Sequence, residues 1–238
     1  MSTPLIPTSS RIDQLNSVWS ELELTDLLHQ IASKYGNKAA FSLGFGREGM
    51  IIADQIFRHQ LPIRVFTIDT GRLFHETQEL HQRVITKYRQ KIEVFTPQQE
   101  SVENLMSNKG PLSFYDSLDN RLECCNIRKV SPLRRALQEA DLWITGLRQG
   151  QSTYRQQFEL AEWNEKHQVI KVNPLIRWST QAVDTYLAHH KVPVNSLHRK
   201  GFASVGCAPC TRAIQPGEDE RAGRWWWENS HKECGLHV

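Results

Sequence analysis

Ala39-Ala40-Phe41-Ser42-Leu43-Gly44-Phe45-Gly46-Arg47-Glu48-Gly49 is the stretch that decides the fold. A short apolar run breaks into a glycine-rich turn, a helical pattern follows through about His59, and a second apolar run from Ile63 to Ile68 closes at Asp69-Thr70-Gly71. Apolar run, crossover helix and apolar run make a βαβ unit, whose parallel strands are buried on both faces. The alternation continues through a helical stretch from Phe74 to Gln90, a strand from Ile92 to Phe95, and apolar runs at Leu142 to Thr145 and Val169 to Val172. The expected fold is α/β: a mostly parallel twisted sheet with helices on both faces. Upstream, Leu22, Leu24, Leu27, Leu28 and Ile31 recur at helical spacing before Gly36-Asn37, which predicts an N-terminal helical cap over residues 1–38.

The chain has 238 residues, 39% hydrophobic and 23% charged, an ordinary globular balance that excludes wholesale disorder and fibrous repeats. No internal repeat or Gly/Ser linker divides it, although Pro, Gly and charge become denser after about residue 193. One catalytic domain is expected, with the cap, an α/β core over 39–212 and a mobile C-terminal segment over 213–238. No apolar run approaches the roughly 18–20 residues a membrane span needs, and Met1 to Ser10 lacks a cationic region followed by an apolar run, so a cytoplasmic protein without a membrane partner is expected. A net charge of +3 is too mild for a nucleic-acid surface and suits a small anionic ligand.

Open sheets of this kind bind ligands beyond the carboxyl ends of their strands, which selects the loops 44–49, 69–72 and 146–155. The first spells G-x-G-x-x-G, with Asp69 standing where a ribose-binding acid would sit. Glycines there let the backbone approach an anion and aim helix N–H groups at it, whatever the anion; a dinucleotide and a bare tight turn are the competing readings. The third loop carries Arg148, Gln151, Ser152 and Arg155 just past an apolar strand. Guanidinium forks suit phosphate or sulfate oxygens, so the set reads as an oxyanion site rather than a solvated loop.

Five cysteines, an odd number in a reducing compartment, argue against a disulfide framework. Cys124-Cys125 and Cys207-Ala208-Pro209-Cys210 offer four thiolates. Adjacent Cα atoms lie about 3.8 Å apart and their side chains diverge, which suits one tetrahedral ion poorly and an iron–sulfur cube better; zinc and no metal at all remain open. Arg128 and Lys129 precede Ser131-Pro132, read as an N-cap and first helical residue, so the cysteine pair should lie beside a helix start. Two cations there can stabilise an anionic cluster and an anionic substrate, or simply face solvent. Cys234 stands apart near the end, available as a nucleophile if His231, Lys232 or His237 lie close to it, and otherwise a surplus thiol.

Taken together these residues resemble the assimilatory adenylyl-sulfate (APS) reductases, the iron–sulfur branch of the phosphoadenylyl-sulfate (PAPS) reductase family. The likeness runs through Ile68-Asp69-Thr70-Gly71-Arg72-Leu73, Cys124-Cys125-x-x-Arg128-Lys129, Gly146-Leu147-Arg148 with Gln151-Ser152 and Arg155, Gly206-Cys207-x-x-Cys210-Thr211-Arg212, Gly223-Arg224-Trp225-Trp226-Trp227-Glu228 and Glu233-Cys234-Gly235-Leu236-His237. It covers nearly everything from about residue 39 onward.

The resemblance implies an adenine-nucleotide hydrolase-like sheet and a thioredoxin-dependent reduction of adenylyl sulfate to sulfite and AMP in sulfate assimilation and cysteine biosynthesis. Cys234 would attack sulfur and carry an S-sulfocysteine that thioredoxin, or a glutaredoxin-like reductant, then cleaves. Cys124, Cys125, Cys207 and Cys210 would hold one 4Fe-4S cluster per chain, and Lys129 would lie between cluster and substrate. Arg148, Arg155, Arg221 and Arg224 would line the phosphosulfate site. Ser42, Gly44 and Glu48 are the expected nucleotide contacts, with Asp69, Thr70, Gly71, Gln151 and Ser152 completing the substrate-binding set. The first loop departs from the family's usual Ser-x-Gly-Ala-Glu-Asp, with Phe45-Gly46-Arg47-Glu48-Gly49 in its place. Preference for the 3′-phosphorylated substrate and a zinc-stabilised nucleotide-binding module are the alternatives; self-association and the particular reductant are left open.

Overall fold

Alternation along the strands decides which face each residue covers. In the computed structural model, which describes residues 9–228, 233 and 235–237, β1 (Ala39–Ser42), β2 (Arg64–Ile68) and β4 (Leu142–Ile144) lie side by side and parallel. Phe41, Val65 and Ile144 pack on one face with α1 (Ser9–Trp19), α2 (Leu24–Tyr35) and α3 (Arg47–Arg58). Their neighbours Ala40, Phe66 and Trp143 pack on the other face against Leu133, Ala136 and Leu137 of α7 (Ser131–Leu137). Successive strand side chains point to opposite faces, so two apolar layers grow from three short strands.

The sheet has six strands in the order β3-β2-β1-β4-β6-β5, with β3 over Glu93–Phe95, β5 over Ala161–Asn164 and β6 over Val169–Val172. Every pairing is parallel except β5 with β6. The edge strand β5 was not foreseen: Ala161-Glu162-Trp163-Asn164 is short and only Ala161 is buried. Strand order reverses between β1 and β4, and the loops leaving these strands diverge to open a crevice at their carboxyl ends.

Around the sheet run α4 (His75–Tyr88), α5 (Gln99–Lys109), α6 (Leu118–Cys125) and α8 (Thr180–His189). The α-helix does begin at Ser131 with Pro132 in its first turn, but Ser131 is not the N-cap expected of it, because no free helix end lies there. Asn126–Val130 form a π-helical turn joining α6 to α7, and Ser131 has helical angles, φ −62° and ψ −47°. The real cap is Ser117, whose hydroxyl accepts from Asn120 N at 3.1 Å. Thus Cys124-Cys125 end α6 where the helix widens, a local irregularity common at functional sites. Among the described residues no helix is long and apolar enough to cross a membrane.

Candidate functional site

A cavity of about 270 Å³ opens at the reversal point, floored by Ser42, Gly44, Thr70 and Gly146 at the strand ends. A Cβ on Gly146 would sit 3.1 Å from Gly49 N, which shows how closely the β4 loop crosses the start of α3. Ser42 Oγ accepts from Trp143 Nε1 at 2.8 Å, fixing the indole in the wall. Phe45, buried between the two glycines, takes a left-handed φ of 57° that few non-glycine residues adopt.

Of the expected substrate residues, Ser42, Gly44, Glu48, Thr70, Gln151, Arg155, Arg221 and Arg224 line this cavity, as does Lys129. Asp69, Gly71, Arg148 and Ser152 are absent from its lining. Asp69 Oδ1 instead accepts from Gly71 N at 2.9 Å, shaping a turn in which Gly71 has φ 69°. Arg148 is spent internally: Nε donates to Glu48 Oε1 at 2.7 Å, and Nη2 reaches the Glu220 carboxylate at 3.2 Å. It is a strut under the site, where the sequence pattern pointed to a substrate contact.

The four cysteines converge, since Cys124, Cys125, Cys207 and Cys210 share one buried cluster with Leu105, Phe114 and Trp225, and none is in a disulfide. A short bridge between Leu73 and Cys207 zips the β2 loop to the C-x-x-C segment and brings Thr70 Oγ1 to 3.3 Å from Cys207 Sγ. Burial opposes ionisation of Cys207, but Lys129, the Thr70 hydroxyl and Arg224 outweigh it and hold the thiol below its usual value. Burial and then the charge of Cys207 push Cys210 up to about 12. Burial likewise raises Cys124, against Arg72 and Arg128. Thiols that raise one another's pKa are the chemistry of a thiolate-ligated group, yet among the described residues no three His, Cys, Asp or Glu side chains stand together closely enough to hold a single metal ion.

The described part of the C-terminal segment is packed onto the core. Arg224 lies over the fully buried Trp225 ring at 4.6 Å, and a Cβ on Gly206 would strike the Arg224 guanidinium at 2.2 Å. Glu233 is buried, with Oε1 accepting from Arg155 Nε at 2.8 Å and Oε2 ion-paired with Arg221 Nη2 at 3.1 Å. Lys166 Nζ donates to Gly235 O at 3.1 Å, and His237 stacks on Trp143 with ring centres 5.4 Å apart. Burial, then Lys171, Arg155 and Arg221, drive the His237 imidazole far below its ordinary pKa, so it is neutral. The nucleophile candidate Cys234 lies outside the described residues, as do His231 and Lys232.

Residues 38–213 match the phosphoadenosine phosphosulfate reductase domain. A protein of Allochromatium vinosum named adenosine 5′-phosphosulfate reductase is 43% identical, covering all of this chain and 88% of that protein. The chain belongs to the phosphoadenosine phosphosulfate reductase family. A second relative of the same name, from Agrobacterium fabrum, is 44% identical over 94% of this chain and 86% of its own length. Among solved structures, the phosphoadenylyl-sulfate reductase of Candida auris in a phosphate complex superposes with a TM-score of 0.75 at 27% identity, covering 89% of this chain and all of that one. The FMN adenylyltransferase of Candida glabrata (TM-score 0.56, 13% identity, 98% of this chain and 80% of that one) shares the fold alone.

The reductase-domain match ends at residue 213, yet the segment beyond it supplies Glu220, Arg221, Arg224, Trp225, Glu233 and His237 to the cavity wall of this family member. One residue in contact with that segment carried no sequence flag. Arg121, buried on α6, donates from Nε and Nη2 to Glu228 at 3.0 and 2.9 Å and from Nη1 to Glu233 O at 2.6 Å. The available signal was spacing: Arg121 stands three and four residues before Cys124 and Cys125, hence on their side of the helix.

Proposed function

We propose that this reductase converts adenylyl sulfate to sulfite and AMP with electrons from thioredoxin or a similar dithiol. The observation that carries the reading is Lys129: buried at the π turn, it faces Cys207 of the cysteine cluster on one side and the cavity on the other. Lys129, Arg221 and Arg224 set positive charge where the phosphosulfate would lie, which offsets the repulsion between a thiolate and an anionic sulfuryl group. Cys234 attacks sulfur, an S–S bond forms as the S–O bond to AMP breaks, and AMP leaves with that electron pair. One thiol of a dithiol partner then attacks the Cys234 sulfur and sulfite departs with the S–S electron pair; the partner's second thiol resolves the mixed disulfide, which returns Cys234 as a thiol and leaves the partner as a disulfide.

Cys124, Cys125, Cys207 and Cys210 would hold a 4Fe-4S cluster. When bound, that group supplies a fixed local charge and a crosslink between α6 and the 207–210 segment. Gly44 leaves backbone open to the nucleotide, and the stacked His237 and Trp143 form part of the cavity wall. The chain works in the cytoplasm on this reading.

Sulfite release by anaerobically purified protein with reduced thioredoxin, offered adenylyl sulfate and its 3′-phosphorylated form in parallel, tests the proposal. Strong preference for the unphosphorylated substrate is expected. Equal or reversed preference overturns the substrate assignment, and no sulfite from either leaves a nucleotide-binding module.

A further inference from the structure

Three arginines from three separate segments converge on Glu233. Arg155, from the loop after β4, grips the carboxylate with Nε at 2.8 Å and Nη2 at 3.1 Å, and its remaining nitrogen, Nη1, donates to Gln151. Arg221 adds Nη2 at 3.1 Å. Arg121, from α6, holds the main-chain carbonyl at 2.6 Å while its other two nitrogens bind Glu228. Side chain and backbone of one buried residue are therefore both fixed.

Three of the five N–H groups of Arg155, one on each nitrogen, donate to protein acceptors, two of them to Glu233. A buried carboxylate in a cavity suited to anions would itself repel substrate unless its charge were cancelled. Burial works against ionisation of Glu233, yet Arg155, Arg221 and Arg224 overcome it and the carboxyl is held below its ordinary range. The chain on the far side of residue 234 is anchored too, through Lys166 to Gly235 O and Trp143 to His237.

We propose that Glu233 is a positioning residue: its carboxylate docks the nucleophile-bearing segment into the Arg155–Arg221 pair. One peptide bond joins Glu233 to Cys234, so their Cα atoms are about 3.8 Å apart and fixing the first constrains the second. The inference rests on Cys234 being the nucleophile. A misplacement of about 1 Å at a reacting atom costs on the order of 100-fold in rate, which sets the scale of the expected effect.

The test is Glu233→Gln in the iron-loaded enzyme, with S-sulfocysteine formation followed by mass spectrometry in single turnovers without thioredoxin. The rate of adduct formation should fall about 100-fold while the adenylyl sulfate concentration for half-saturation stays within about threefold. Alkylation of Cys234 by iodoacetamide in the AMP-bound enzyme should rise about tenfold or more, and iron absorbance should persist. Weaker half-saturation at an unchanged rate would assign the carboxylate and Arg155 to substrate binding, and tighter half-saturation would make Glu233 a stand-in for the substrate anion; either overturns the proposal. If Glu233→Gln loses iron or its cooperative melt, Glu233→Asp decides: a wild-type rate with wild-type alkylation overturns the proposal, and a slowed rate with retained iron upholds it. Cys234→Ser runs in parallel. Adduct formation in that variant would sink the nucleophile assignment itself, whereas its loss there beside a full rate in Glu233→Gln would sink only the docking role.

Discussion

Arg148 and Glu48 meet at 2.7 Å in a pair whose side chains are 1% and 9% exposed, tying the loop after β4 to the first turn of α3. Arg148 also takes Glu220, so one guanidinium joins the two sides of the crevice to the C-terminal segment. This is a structural junction beneath the ligand cavity.

Removing one partner of a buried pair strands the other charge. Arg148→Ala should cost about 3–5 kcal/mol of stability, read as a lower urea midpoint. Glu220, at 26% exposed, should matter less: Glu220→Ala should change stability by about 1 kcal/mol or less. Equal midpoints for Arg148→Ala and wild type would refute the strut.

Gly44 has nothing within 4 Å of the position a Cβ would take and no left-handed backbone, so Gly44→Ala should leave the melting temperature unchanged. It lines the cavity, and a methyl there should weaken substrate binding if the nucleotide approaches the backbone. Gly206→Ala should instead displace Arg224, whose guanidinium lies 2.2 Å from the added carbon, and raise KM. The comparison is a pair of melts and a pair of saturation curves; a destabilised Gly44→Ala would contradict the first expectation.

Cys207→Ser should bleach the visible iron absorbance and lower the melting temperature, since metal binding is coupled to folding. Cys234→Ser should keep the absorbance and lose sulfite production. Lys129→Ala should slow turnover with iron retained. Iron analysis beside activity separates these outcomes, and iron loss in Cys234→Ser would contradict the assignment of ligands.

Burial, with Lys166 and Arg134 adding to it, lowers His167 from 6.5 to about 4. An unfolded chain takes up that proton below 6.5, and the folded one only near 4. Acid therefore favours unfolding, and stability should fall as pH drops from 6.5 to 4. His167→Asn should flatten the dependence of the urea midpoint on pH over this interval. An unaltered slope would show that other groups carry it.

The alternating strands, the glycine turn after β1 and the two cysteine pairs were legible because each is a local pattern: periodicity, conformational permission, spacing. The π turn was not. Ser131-Pro132 spells a helix start, and only the packing of Leu133, Ala136 and Leu137 against the sheet shows the helix running through without a cap. The short edge strand β5 escaped for a related reason, since its place is set by pairing with β6 and not by its own composition.

Sequence alone was enough for the βαβ order, for the basic residues at the strand ends and for the two cysteine pairs. What tertiary structure decided is which charges face which. Arg148 and Arg155 look alike along the chain, but Glu48 claims the first and Glu233 the second, across 100 and 78 residues respectively. Buried guanidinium groups must find acceptors wherever the fold supplies them, and that pairing exists only once distant segments have come together.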